Sequence, residues 1–186
     1  RNRFTNSLTG DSSVMASILK VNTIQDATNS TTAMSVDTAG RVNFPTLPRV
    51  SVTHSTNGTV TYSANDHYVT DSTIQHRITM VGITFGGSNG RFTVPVSGDY
   101  AISYFNMING AASGTGVVEW NIKKNGSDNL LRAYASADGS YWSNMGCSGI
   151  VSLSASDYIT IECGAANASY DGHGGHYSGF SMHLLG

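Results

Sequence analysis

Apolar residues in this chain fall in short alternating runs, and stripes of helical period are hard to find. From Gly98 to Asn106 the pattern sets Tyr100, Ile102 and Tyr104 on one side and Ala101, Ser103 and Phe105 on the other, the two-residue period of a β-strand. Comparable runs predict strands over Val50–Thr53, Val60–Tyr62, Thr79–Phe85, Arg91–Val94, Val117–Lys124, Leu130–Ala135, Gly149–Leu153, Tyr158–Cys163 and Tyr177–Leu185. Turn-rich stretches separate them: Gly86-Gly87-Ser88-Asn89-Gly90, Asn125-Gly126-Ser127 and Ser154 to Asp157, where Gly, Asn and Asp tolerate backbone conformations that other residues avoid. About ten short strands with regular turns predict an all-β sandwich or barrel. Strand Gly98–Asn106 carries aromatic bulk on both faces. One face fills the sandwich, and the other needs a cover that a neighbouring subunit can supply.

The first fifty residues differ in character. They hold Ile18 to Asp26, Thr31 to Val36, and Val36 and Val42 flanking Asp37-Thr38-Ala39-Gly40, a tight turn in which Gly40 takes positive φ. Large apolar side chains are too few here for a private core. The segment needs the rest of the chain or copies of itself. Pro45 and Pro48 mark a boundary, so the expected organisation is an N-terminal segment over 1–49 and a folded domain over 50–186.

Composition sharpens the class. Ser, Thr, Asn and Gly make up roughly two-fifths of the 186 residues, far above ordinary usage, which favours turns and exposed strands over helix interiors. The formal net charge is −2, so the basic footprint of a nucleic-acid or anionic-membrane binder is absent. Apolar runs are too short for a membrane-spanning helix. The two cysteines, Cys147 and Cys163, lie in no CxxC motif and read as buried thiols acting as small hydrophobes. Whether they pair depends on an approach that spacing cannot give.

Four segments, in order, resemble the complement-one-q globular head family, whose domains have a tumour-necrosis-factor-like fold. Phe92-Thr93-Val94-Pro95 leading to Gly98-Asp99-Tyr100 resembles its Phe, Pro and Gly-x-Tyr signature. Lys124-Asn125-Gly126 is similar to its Lys-Asn-Gly hairpin, and Ser148–Leu153 with Asp157–Ile161 to its paired strands with an Asp at the turn. Ser178–Leu185 resembles its closing strand, although Ser181-Met182-His183 departs from it. The resemblance implies a ten-stranded jelly roll over 50–186, assembly as a homotrimer, and recognition without catalysis. It carries over no ligand-binding residue. In the first zone, Ser17–Asp26 and Thr31–Val42 resemble a segment of tail-fibre and structural proteins of bacterial viruses. That implies a short extended neck joining a virion fibre to other virion proteins. It also implies a head that meets a host surface glycan or protein. The alternative is a trimerisation cap or capsid-decorating head with no ligand.

Candidate chemistry is sparse. Tyr141, Trp142, Tyr170, Asp171, His173, His176 and Tyr177 cluster on segments rich in Gly, Ser and Asn. Flat rings there suit stacking on sugar faces while amides and carboxylates reach hydroxyls. The competing reading is that these rings pack at subunit interfaces or fill the sandwich. His173 and His176 sit on what reads as a flexible loop and would need further ligands to hold a metal. No metal or cofactor is expected. Asp66, Asp71, Asp99, Asp138, Asp157 and Asp171 mostly fall in predicted turns and read as capping groups. His54, His67, His76 and His183 are isolated. Catalytic signatures such as GxSxG and HExxH are absent, and Gly10-Asp11-Ser12 lies in the coreless zone. Glu119 and Glu162, the sole glutamates, show no sign of pairing as glycosidase carboxylates. An enzyme is not expected.

Overall fold

The computed structural model describes residues 21–28, 30–63, 65–69, 79–109, 116–137, 142–164 and 169–185. Two compact units divide the chain, Arg1–Phe44 and Pro45–Gly186.

In the first unit, β1 (Thr23–Gln25), β2 (Thr32–Val36) and β3 (Val42–Asn43) form an antiparallel sheet in that order. The turn between β2 and β3 is organised by Asp37. Its Oδ1 accepts the N–H groups of Ala39 and Arg41 at 2.9 Å each, and its Oδ2 accepts Arg41 Nε at 2.6 Å. Gly40 has φ +80°, the left-handed conformation expected of it. Val21, Ile24, Val42 and Phe44 are all exposed. No described residue of this sheet is buried, so its apolar groups have yet to find a core.

Among the described residues the second unit holds ten strands: β4 (Arg49–Ser63), β5 (Thr79–Val81), β6 (Thr84–Gly86), β7 (Arg91–Thr93), β8 (Gly98–Asn109), β9 (Gly116–Lys124), β10 (Asp128–Ala137), β11 (Trp142–Leu153), β12 (Tyr158–Cys163) and β13 (Ser169–Leu184). They pair antiparallel in two five-stranded sheets, β10-β9-β12-β7-β6 and β11-β8-β13-β4-β5. This is the jelly-roll sandwich expected from the sequence. Two predicted strands, Val50–Thr53 and Val60–Tyr62, are one strand, because β13 pairs along both halves of β4. The predicted run Thr79–Phe85 breaks at Gly82, φ +69°. There β5 ends in one sheet and β6 begins in the other, a corner that favours glycine.

Alternation decides what each sheet buries. On β8, Tyr100, Ile102 and Tyr104 are buried while Ser103 and Phe105 are exposed. Phe180 and Met182 of β13 join them, and Phe92, Trp120, Ile122, Ile159 and Ile161 close the core from the other sheet. Trp120 is ringed by Tyr62, Tyr104 and Tyr68, with centroids 5.1, 5.6 and 6.2 Å away. Neither cysteine is in a disulfide; Cys163 is buried and Cys147 half-buried, and burial pushes the Cys147 thiol pKa up.

Candidate functional site

The outer face of the β11-β8-β13-β4-β5 sheet gathers part of the sequence-derived cluster. Trp142 begins β11 opposite Asn109 of β8, and Asn109 lies opposite Asp171 of β13. Asn144, Met107 and His173 form the next outward row. Trp142 and His173 therefore meet diagonally across β8, with ring centroids 5.4 Å apart at 65°. Beyond His173 the ladder slips: His173 pairs with Met107, but the next pair is Ser178 with Asn106. The four residues between form a bulge in which Gly174 and Gly175 (φ +66°) stay buried and His176 and Tyr177 are exposed. The bulge returns Tyr177 onto His173, centroids 4.4 Å apart at 63°.

His173 is thus the middle ring of three. Its Nδ1 lies 3.0 Å from Gly174 O, and because a carbonyl only accepts, Nδ1 is the donor of that contact. Trp142 and Tyr177 remain 40% and 49% exposed. Two large rings with free faces, an imidazole and the exposed amide of Asn144 offer stacking surface together with hydrogen-bonding groups. Asn144 had no place among the expected site residues. The signal for it was its position two residues along the strand from Trp142.

Sequence reasoning placed His173 and His176 on a flexible loop. The structure corrects this: Tyr170, Asp171 and His173 belong to β13 and are paired with β4 and β8, because the register slip absorbs the glycines without ending the strand. His176 sits exposed in the bulge. Tyr141 lies outside the described residues, as do the side chains of Tyr170 and Asp171. Among the described residues, no three His, Cys, Asp or Glu side chains are grouped to hold a metal.

The rest of this face is flat and built of small residues. A depression of ≈ 340 Å³ is lined by Ala101, Ser103, Ser148, Ile150, Ser181 and His183. Ile150 is 67% exposed and Phe105 47%. Phe105 lies flat across Gly179, where a Cβ would come within 2.6 Å of the ring. Two protruding apolar groups on a plain of Ser, Gly and Ala form a surface shaped for contact.

No protein-family model matches the sequence, and no curated protein matches it. The fold does match solved structures. Eiger TNF from S. frugiperda superposes with a TM-score of 0.59 at 12% identity, over 75% of this chain and 93% of that one. Murine APRIL gives 0.55 at 13% identity, over 75% and 99%. The globular domain of zebrafish complement 1qA protein gives 0.54 at 18% identity, over 75% and 98%. At these identities the likeness is one of fold: the second unit is a jelly roll of the tumour-necrosis-factor and complement-one-q type.

Proposed function

We propose that this chain is a trimeric fibre protein of a bacterial virus, on tail or capsid, whose jelly-roll head attaches to a glycan or protein on the host surface. The virion setting is supported by the fibre-like residues Ser17–Asp26 and Thr31–Val42. Self-association is supported by a sheet with no buried residue in the first unit and by the uncovered Phe105 and Ile150 in the second. Threefold wrapping gives such a segment a shared core. On this reading the first unit also meets other virion proteins, and the head is a binder and not an enzyme.

The observation that carries host attachment is the contiguous Trp142–His173–Tyr177 ring cluster on an exposed sheet end. Labelled protein incubated with a panel of bacterial cells, with free sugars as competitors, tests it. Saturable binding to a few strains, blocked by one sugar and abolished by Trp142→Ala or Tyr177→Ala, is expected. A second reading, a trimerisation cap or capsid-decorating head without ligand, draws on the same exposed Phe105 and Ile150, which need a subunit and not a receptor. Cell binding that survives both ring substitutions points to another surface of the head, and a folded trimer that binds no strain including its host favours that cap.

A further inference from the structure

The opposite sheet carries a different kind of surface. Along β12, Ile159, Ile161 and Cys163 face the core, so Tyr158, Thr160 and Glu162 share the outward side. One edge of β12 is completed by two separate pieces of chain. At its start β7 pairs with Tyr158 and Ile159. Further along, residues 65–68 take over: Tyr68 N–H donates to Ile161 O at 2.9 Å, Cys163 N–H to Asp66 O at 2.9 Å, and Asn65 N–H to Cys163 O at 3.1 Å. The gap between those pieces is a cleft of ≈ 280 Å³ whose lining includes Asn65, His67, Asn89, Arg91, Tyr158 and Glu162.

Its charges are unevenly satisfied. Glu162 is only 9% exposed. Its Oε2 accepts Lys123 Nζ at 2.6 Å and its Oε1 accepts Thr160 Oγ1 at 2.6 Å. A carboxylate offers about four acceptor positions, so acceptor capacity remains on both oxygens. His67 stands opposite Glu162 across the strand pair, and its Nδ1 is buried with no hydrogen-bond partner, 3.9 Å from Oε1. Arg91 lies over the Tyr158 ring, 4.3 Å from its centroid, and forms no ion pair among the described residues. Lys124, by contrast, is held by Asp157 at 2.9 Å.

We infer that this cleft is a saccharide site for a carboxylate-bearing sugar residue, a hexuronate, with the sugar carboxylate on Arg91 and its hydroxyls on Glu162, Asn65 and Asn89. An arginine fork suits a carboxylate. A bare anion would gain the same arginine but would face Glu162 with no proton to offer it. A zwitterionic amino acid would bring its ammonium to a carboxylate already neutralised by Lys123. Hydroxyl groups donate to Glu162 without adding charge, and the asparagine amides donate and accept around them. The site lies on the other sheet from the Trp142 ring cluster and does not depend on it.

The test is titration of the isotopically labelled full chain with D-glucuronate, D-glucose, acetate and glycine, followed by NMR. Saturable shifts of the Asn65 and Asn89 side-chain amides and the Arg91 Nε–H are expected with glucuronate, at an affinity about tenfold or more above the other three, the scale of one lost charge-assisted hydrogen bond. Exposed Arg91 can be changed without opening the core. Arg91→Gln should remove the preference for glucuronate over glucose, Arg91→Lys should retain part of it, and Trp142→Ala should leave it intact. Acetate or glycine binding as well as glucuronate, an Arg91→Gln protein that still prefers glucuronate, or no saturation would overturn the assignment.

Discussion

Asn125 and Asp157 lock two distant turns together: Asn125 Nδ2 donates to Asp157 Oδ1 at 2.7 Å, and the adjacent Tyr158 N–H donates to Asn125 Oδ1 at 3.0 Å. The other carboxylate oxygen of Asp157 accepts the Ser154 N–H at 2.8 Å and pairs with Lys124 Nζ at 2.9 Å. Val94 N–H donates to the Asp157 carbonyl at 2.9 Å. One residue thereby ties the β9–β10 turn, the β11–β12 turn and the end of β7. Asn125 and Gly126 have φ +52° and +75°, which explains the Asn-Gly pair at that hairpin.

Asp157 should govern acid stability. The Asn125 hydrogen bond, the Lys124 contact and the Ser154 N–H together hold its carboxyl at about 2, below the ordinary value of about 3.9 in an unfolded chain. A depressed folded-state pKa adds stability that is complete above the unfolded value and is lost as pH falls through the folded one. Wild-type protein should therefore lose stability between about pH 4 and pH 2, and Asp157→Ala should lose less over that window. At pH 7 the variant should already be weaker by about 1–2 kcal/mol, from the unmade hydrogen bonds. Urea denaturation across this pH range checks both statements. Parallel curves for the two proteins would remove Asp157 as the acid-sensitive group.

His54 should govern a second step nearer neutrality. It is buried in the core, its ring 6.2 Å from Tyr62 and 6.1 Å from Tyr68. Burial lowers its pKa below the ordinary 6.5. In the pH range between the depressed folded value and the ordinary one, the unfolded chain binds the extra proton. Stability is therefore full above about 6.5 and declines as pH falls below it. The melting temperature should drop between pH 7.5 and pH 5.5, and His54→Gln, lower at both, should show a smaller drop. An equal drop in both proteins would assign the step to other groups.

Much of this architecture is legible in the sequence. The alternation at Tyr100, Ile102 and Tyr104 gave the inward face of β8, and Tyr158–Cys163 was bounded as observed, because strict period-two patterns admit one register. What stayed hidden depends on pairing partners. The glycines at 172, 174 and 175 look like a loop until β4 and β8 pair with Gly172 and β4 with Gly175. The Glu162 cleft is not legible in the sequence because Asn65 and His67 reach β12 from one stretch of chain and Arg91 from another. His67 and Glu162 each looked isolated, and their opposition exists only through the strand pair. Of the expected ring cluster, Trp142, His173 and Tyr177 came together because a bulge folds one residue back, which residue spacing does not encode.

Trp120 should be the costliest single side chain to lose. It is fully buried on β9 among three tyrosines, so truncation forfeits its transfer free energy and leaves a cavity between the sheets. Trp120→Ala should lower unfolding free energy by about 3–5 kcal/mol, and Trp120→Phe, which keeps an aromatic ring in the space, by less. Equilibrium urea curves with an unchanged slope measure the loss. A Trp120→Ala cost below about 1 kcal/mol would mean that the tyrosines collapse into the space.

The outer face of β8 and β11 should decide the state of assembly. Ile150 of β11 and Phe105 of β8 are large apolar groups left 67% and 47% exposed on the face turned away from the core. Covering a ring that is half exposed removes roughly 100 Å² from water, at about 25 cal/mol per Å², and copies of this chain are the occupant the proposed fibre supplies. Light scattering should then give three times the chain mass for the wild type. Phe105→Glu should give a single-chain mass, because an uncompensated carboxylate cannot be desolvated at a subunit contact. Far-UV circular dichroism should stay unchanged, since Phe105 points away from the core. Ser51→Glu, exposed on β4 of the same sheet, separates a contact centred on Phe105 and Ile150 from one spread over the whole face: the trimer survives it in the first case and dissociates in the second. A wild-type protein that elutes with the mass of one chain would leave the exposed Phe105 and Ile150 to a different partner and remove the basis for a trimeric fibre.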